Sequence, residues 1–433
     1  MDKQEGSPRK FRFNVNSCVS MFAMALVVVF ALTLLTPHAM QAQTFSVLHN
    51  FTAGTDGSNP VAGVTVAPAG VLYGAAEGGG TYGYGTVFKL TPHDSSWVFG
   101  PLYEFPGGSD GADPEGGVVI GPNGALYGTT LGGGENNYGI VFELRPPPTF
   151  CRSILCYWNE TLLHTFTGTP DGEYPQGENL AFDQAGDIYG TTYAGGMYGG
   201  GTTFELTPSG GGYTKSIIHS FGSGTDGRGP AGVVLDNAGN VYGTTIVGGT
   251  GTECTYNCGT VYQLIPSNGG WLENILVNFN QTNGAYPYGQ LIIDESGNLY
   301  GTTNAGGQGG GGVVFKLAPA GGGFTYSVLY SLSLGCQPYG GVAMDTAGNL
   351  FGVCEGGGAG NVGWIFELTN CRETCTVVDL HDFSVSDGSY PYGSPVLDAH
   401  GNLYGTTLYG STGNCDLGCG VVWEIAGAGS PRR

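Results

Sequence analysis

One phrase returns seven times along this 433-residue chain, and a unit that recurs at that pitch leaves few folds open. The aromatic of the motif LYG falls at Tyr73, Tyr127, Tyr189, Tyr242, Tyr300, Phe351 and Tyr404, so that neighbouring copies lie 51 to 62 residues apart. Each copy carries four short apolar runs in the same order. The fourth shows them all: the alternating YTKSIIHSF (213–221), the turn DGRGP, the continuous run AGVVLD (231–236), the turn NAGN, VYGTT (241–245), and, after a glycine-rich loop, GTVYQL (259–264). Four strands of five or six residues joined by Gly, Asn and Asp turns make an antiparallel meander. Seven such sheets with no helical periodicity between them predict an all-β, seven-bladed β-propeller of four-stranded antiparallel blades. A β-helix needs a much shorter repeat, and a sandwich does not repeat in this way.

The order of the runs predicts how the ring closes. The apolar GVVLD run suits the innermost strand and the LHxF run the outermost. The repeat region opens on an outer strand, TFSVLHNF (44–51), and ends on a third strand, VVWEI (421–425). The N-terminal strand is therefore expected to complete the last blade, giving one propeller over residues 43–427 and a short tail, 428–433.

Turn chemistry accounts for much of the repetition. In DNAGN, DESGN, DTAGN and DAHGN, the aspartates Asp236, Asp294, Asp345 and Asp398 are placed to bond their own backbone, and the following glycine suits a positive φ. The DG aspartates Asp56, Asp110, Asp171, Asp226 and Asp387 are read as type I turns. A calcium site needs six to eight oxygens, and one aspartate per loop is too few.

The pattern DG-x-x-P, LYGTT-x-x-GG, GTVFKLTP resembles the GloVer tandem repeat family of Gloeobacter and Verrucomicrobia. GTVFKLTP (85–92), TTFELTPSGGGY (202–213) and GNLYGTT (401–407) carry the likeness, which runs from Thr44 to Ile425. It implies an exported or surface-anchored repeat protein with no established biochemical role. Relatives of this kind often end in a membrane-sorting tail, whereas AGAGSPRR contains no apolar helix, so attachment by that route is not expected.

Residues 1–42 read differently from the rest. Lys3, Arg9, Lys10 and Arg12 precede an apolar run from Val19 to Leu35, and the small residues Ala39 and Ala42 follow. This is the layout of an export signal, with an uncleaved N-terminal anchor as the alternative. The expected location is outside the cytoplasm: secreted, periplasmic or at the cell surface. The remaining chain carries 9 basic and 32 acidic residues, and a net charge of −23 repels nucleic acid. Any membrane contact is expected only through the N-terminal segment. Cysteines come in pairs behind that segment: Cys151 with Cys156, Cys254 with Cys258, Cys371 with Cys375, Cys415 with Cys419, and the looser Cys336 with Cys354. Disulfides are expected rather than zinc ligands, because no pair has a second pair or a histidine beside it.

Function is less legible. The crossings between blades carry EYPQG (173–177), YPYG (286–289), QPYG (337–340) and YPYG (390–393). They place Tyr174, Tyr286, Tyr288, Tyr339, Tyr390 and Tyr392 at one end of the ring, as a candidate ligand-binding set. Aromatic faces with phenolic hydroxyls suit sugar rings. Packing of the crossings against neighbouring blades is the simpler use of the same tyrosines. No catalytic set, metal site or cofactor motif is expected. His49, His164, His219 and His381 share one outer-strand position that elsewhere holds Tyr103, Val277 or Tyr330, which reads as packing. The leading expectation is a non-catalytic binding or scaffold propeller whose partner is polysaccharide or another surface protein. A carbohydrate-active enzyme is the alternative, with Glu115, Glu173 and Glu355 as the carboxylates outside the repeating pattern, and a purely structural envelope component is the third reading.

Overall fold

The computed structural model describes residues 43–148, 157–371, 375–411 and 413–430. Seven four-stranded antiparallel sheets make up the fold. Blade 1 runs from an inner strand, Thr65–Val66, through Leu72–Ala76 and Thr86–His93 to an outer strand, Ser96–Glu104. Blades 2 to 6 repeat that order. In blade 7 the strands Val396–Leu397, Leu403–Thr407 and Val421–Ala426 come from the end of the repeat region, and the outer strand is Thr44–Asn50. Thr44 pairs with Ala426 and Asn50 with Val421, across a bulge between Val47 and His49. The ring is thus closed by joining its two ends, which leaves Val421–Ala426 paired on both edges.

The buried material lies between blades. Each of seven apolar clusters takes side chains from two neighbouring sheets, as where Val87, Leu102 and Phe105 of blade 1 meet Leu126, Ile140 and Phe142 of blade 2. The most buried strand is the second one: all five residues of the LYGTT strands are buried in blades 2, 3, 5 and 7. Inner strands pair over only two residues in every blade except the fourth, where Gly227–Leu235 runs for nine. This departs from the expected five or six. Around the axis the chain leaves the ladder so that glycine backbones of adjacent blades meet: a Cβ on Gly393 would fall 2.2 Å from the backbone nitrogen of Gly63, and one on Gly289 2.4 Å from that of Gly341.

The LYG glycine has a different task from the relief of backbone crowding. In every blade it faces the aromatic of the third strand across the ladder: Gly74 with Phe88, Gly128 with Phe142, Gly190 with Phe204, Gly243 with Tyr262, Gly301 with Phe315, Gly352 with Phe366, and Gly405 with Trp423. A Cβ at these glycines would sit 2.3 to 2.7 Å from the ring. The aromatic lies flat on a strand with no side chain of its own there, and that is how a ring of this size is packed in each blade. The tyrosine beside it anchors the turn. Asp236 Oδ1 accepts the backbone N–H groups of Ala238 and Asn240, while its Oδ2 accepts the Tyr242 hydroxyl at 2.9 Å. Asp294 with Tyr300 and Asp398 with Tyr404 repeat the arrangement.

Disulfides join Cys254 to Cys258, Cys336 to Cys354, Cys371 to Cys375 and Cys415 to Cys419. Cys336 follows the crossing glycine Gly335, where other crossings have Ser58, Ala112, Ala285 or Ser389, and Cys354 stands where other copies have the second threonine of YGTT. This crossing has Leu334 where others have the aspartate of DG, and the disulfide ties it covalently to the second strand of its own blade. Cys151 and Cys156, residues 1–42 and the last three residues lie outside the described residues. Residues 428–430 dock rather than hang free: Gly429 N–H donates to the Gly401 carbonyl and Ser430 N–H to Asp345 Oδ2. No helix among the described residues is long and apolar enough to cross a membrane.

Candidate functional site

The crossing from one blade to the next contains a proline in all seven copies, and it builds a pocket by a single rule. The residue before the proline is held in the left-handed region: Asn59, Asp113, Tyr174, Gly229, Tyr286, Gln337 and Tyr390 have φ between 54 and 61°. Each backbone N–H in this series donates to a carbonyl of the preceding blade; Tyr286 reaches Cys258 and Tyr390 reaches Val362. In six blades the carbonyl of the same residue accepts an N–H from its own blade's TTxxGG-type loop, as Asn304 donates to Tyr286. A left-handed conformation is costly for six non-glycine residues, and it is maintained by this double anchorage. The residue after the proline is thereby turned toward the axis.

Those seven residues, Val61, Glu115, Gln176, Ala231, Tyr288, Tyr339 and Tyr392, all line one axial pocket of about 780 Å³. Variable residues of the second-to-third-strand loops add a rim that includes Glu77, Tyr193, Ile246 and Leu408. The loop and the crossing lie at the same end of the ring, joined by isolated bridges such as Glu173 with Ala194 and Ser389 with Tyr409.

The wall is asymmetric. Blades 5, 6 and 7 contribute tyrosines whose rings overlap in series: Tyr288 and Tyr339 are 4.8 Å apart between centroids, and Tyr339 and Tyr392 are 4.4 Å apart and 18° from parallel. Tyr339 is thus the middle ring of the three, stacked on Tyr392 and tilted against Tyr288. Next in blade order around the wall, beyond Tyr288 and Tyr392, come the small side chains of Ala231 and Val61. Burial pushes the Tyr288 hydroxyl up to about 12 and raises those of Tyr339 and Tyr392, so all three are neutral donors at ordinary pH.

Blades 1 to 3 supply oxygen. Gln176 Nε2 donates to Glu115 Oε2 at 2.7 Å. Burial, with Glu115 and Asp113 nearby, pushes Glu77 up to about 7, and burial also raises Glu115 and Asp113. Glu178 reaches into the axis, accepts the Ser394 hydroxyl and faces the backbone N–H groups of Gln290, Gly341 and Ser394. Burial outweighs those donors and pushes Glu178 up to about 7.

The six tyrosines singled out from the sequence therefore divide. Tyr288, Tyr339 and Tyr392 line the pocket. Tyr174, Tyr286 and Tyr390 are the left-handed residues before the prolines, and Tyr174 and Tyr390 pack edge-on against Tyr138 and Tyr409. Of the three carboxylates considered, Glu115 is in the wall, Glu355 lies near Tyr339 and Tyr392, and Glu173 is in a loop bridge. Glu77, Asp113 and Glu178 were missed. Their signal is position: Glu77 and Glu355 are equivalent in AEGGG and CEGGG, and Glu178 is the third residue after the crossing proline.

The four outer-strand histidines also have partners that sequence reasoning left apart. Their Nε2 atoms lie 3.0 to 3.3 Å from the DG aspartates Asp56, Asp171, Asp226 and Asp387. The aspartates cap their own crossings as well, as Asp56 does by accepting the Thr52 N–H and hydroxyl.

Residues 28–157, 156–335 and 252–431 match the family described as the Gloeobacter/Verrucomicrobia repeat, and the chain belongs to it. No curated protein sequence matches the chain. Among solved structures, the chain resembles a catalytically inactive virginiamycin B lyase from Staphylococcus aureus with quinupristin, at 14% identity and a TM-score of 0.54, over 88% of this chain and 99% of that one. It resembles an ulvan lyase of a new polysaccharide lyase family at 12% identity and a TM-score of 0.53, over 90% and 96% of the two chains. A gluconolactonase from Xanthomonas campestris aligns at 13% identity with a TM-score of 0.43, over 72% and 85%. At these identities the likeness is one of fold.

Proposed function

We propose that this member of the Gloeobacter/Verrucomicrobia repeat family is an exported, non-catalytic module that binds a saccharide in the axial pocket. The observation that carries the reading is the division of the wall: aromatic on blades 5 to 7, carboxylate and amide on blades 2 and 3. A sugar ring has an apolar C–H face and a rim of hydroxyls. It would lie on the outer face of Tyr288 or Tyr392, over the space left by Ala231 or Val61, with its hydroxyls directed at Glu115, Gln176 and Glu77. A volume of about 780 Å³ admits more than a single ring. Export is supported by four disulfides, which persist in oxidising compartments.

A glycan array tests the reading, followed by titration of the ligands it finds. Each aromatic contact is worth ~0.5–1.5 kcal/mol beyond buried area, so the double variant Tyr288→Ala, Tyr392→Ala is expected to weaken binding about tenfold or more. Tyr174→Ala is expected to leave affinity in place. An unchanged affinity in the double variant would remove the assignment.

A second reading, a carbohydrate-active enzyme at the same pocket, draws on Glu77 and Glu178, which burial holds near 7 where a carboxyl both gives and takes protons. Its fold is shared with two lyases, and a shared fold assigns no reaction. Release of reducing or unsaturated ends from mixed polysaccharides, abolished by Glu77→Gln, would favour this reading over simple binding.

A further inference from the structure

We propose that His219, Asp226 and Glu273 form a divalent-metal site of zinc type that fastens blade 3 to blade 4. The three donors come from three segments: the outer strand Gly212–Ser220, the crossing that follows it, and the outer strand of the next blade, Gly270–Asn278. His219 Nε2 lies 3.3 Å from Asp226 Oδ2 and 3.5 Å from Glu273 Oε1, and all three donor atoms lie within 4.8 Å of one another. Two ligands bound tetrahedrally to zinc at 2.0–2.2 Å are about 3.3–3.5 Å apart. Both histidine distances therefore match the edge of such a site without rearrangement.

The repeat supplies the control. Every cleft between blades has the same three positions, and the third comes from the residue paired with the leucine or isoleucine two places beyond the third-strand aromatic of the neighbouring blade. That residue is Lys215 in one cleft, where its Nζ lies 2.5 Å from Asp171 Oδ1 and neutralises the His164–Asp171 pair. In two others it is Phe99 or Phe45, stacked on His49 or His381. At Glu273 the same frame instead sets a second carboxylate against a histidine–aspartate pair. Like charges brought together in a partly buried cleft are unfavourable unless a cation or a proton lies between them.

Two further features favour an ion. Glu273 Oε1 is buried and takes no hydrogen bond from any described residue. Asp226 is already aimed: Gly222 N–H donates to Oδ2 and Gly227 N–H to Oδ1. One lone pair on Oδ2 remains for a metal, and such outer hydrogen bonds are what hold a ligating carboxylate in place. The His219 and Glu273 side chains remain 21% and 19% exposed, which leaves an entry path and room for water as the remaining ligand.

The test is titration of the dialysed full chain with Zn²⁺ by calorimetry, and with Co²⁺ by visible absorption, which reports a tetrahedral site directly. A single ion per chain and a raised melting temperature are expected. Glu273→Gln keeps the shape and is expected to weaken binding by at least the ~10–100-fold that loss of an outer-shell partner costs. Glu273→Lys copies the Lys215 cleft and is expected to abolish binding while leaving the metal-free protein folded. Absence of saturable binding in the wild type would overturn the proposal. Equal binding by wild type and Glu273→Gln would overturn it too, by placing the ion elsewhere. No rise in melting temperature with metal, together with a stabilisation on acidification that Glu273→Gln diminishes, would show a shared proton in place of the ion. None of these outcomes bears on the saccharide pocket.

Discussion

Replacing Glu178 by glutamine should change how stability depends on pH, by an amount the structure sets. The carboxyl sits on the axis and is pushed from 4.5 to about 7 by burial, against the pull of its Ser394 and backbone donors. The folded protein therefore holds this proton more tightly than the unfolded chain does. The contribution is present in full below the ordinary value near 4.5 and is lost as pH rises through 7. A shift of ~2.5 units at ~1.36 kcal/mol each amounts to about 3 kcal/mol. Glutamine imitates the protonated acid: its carbonyl keeps the acceptor and no charge forms. Urea unfolding at pH 5 and pH 8 is the assay. The wild type is expected to lose stability across that interval, and Glu178→Gln to lose about 3 kcal/mol less, so that the variant is the more stable protein at pH 8. Glu77, Glu160 and Glu273, also near 7, leave a residual slope in both proteins. Parallel profiles for the two proteins would refute the reasoning, since they would mean that the axial carboxyl titrates as it does in water.

Three further outcomes follow from the frame. Gly128→Ala puts a methyl 2.6 Å from the Phe142 ring, and overpacking of that kind should cost ~1–3 kcal/mol in thermal unfolding. A change within 0.5 kcal/mol would show that the ring does not depend on the bare strand. Exchange of both Cys336 and Cys354 for serine removes a bridge spanning 18 residues and should cost about 3 kcal/mol under oxidising conditions, with no difference from the wild type once both are reduced. Deletion of residues 43–51 strips Val421–Ala426 of its outer partner. Size-exclusion chromatography should then show self-association through the bared edge, whereas a monomer with an unchanged melting temperature would argue that closure contributes little.

The architecture was legible because it is local. Strand, turn and loop within one copy are written in residues fewer than 60 apart, and seven copies repeat the message until the number of blades and the composite seventh sheet follow. The turn aspartates were legible for the same reason. The site was less so, because it is assembled radially. That the residue after the proline faces the axis depends on the left-handed backbone before it, which is held by a carbonyl of the preceding blade. In YPYG the two tyrosines look equivalent, yet Tyr286 wedges the crossing and Tyr288 lines the pocket. His219, Asp226 and Glu273 escaped notice on similar grounds, because Glu273 meets the pair only across a cleft between blades. Glu178 looks like one acidic residue in a polar crossing, and only the ring brings it against Ser394, more than two hundred residues away. The column read across copies does carry a signal. At the post-proline position the seven residues are Val, Glu, Gln, Ala, Tyr, Tyr and Tyr, beside a proline that is the same in every copy.

The most direct test of the account is a crystal structure of the protein with the tightest-binding oligosaccharide from the array. The account predicts a sugar ring lying against the outer face of Tyr288 or Tyr392 within the axial pocket, with hydroxyls hydrogen-bonded to Glu115 or Gln176. Density for the ligand on the outer strands or in a cleft between blades, with the pocket holding only water, would contradict it.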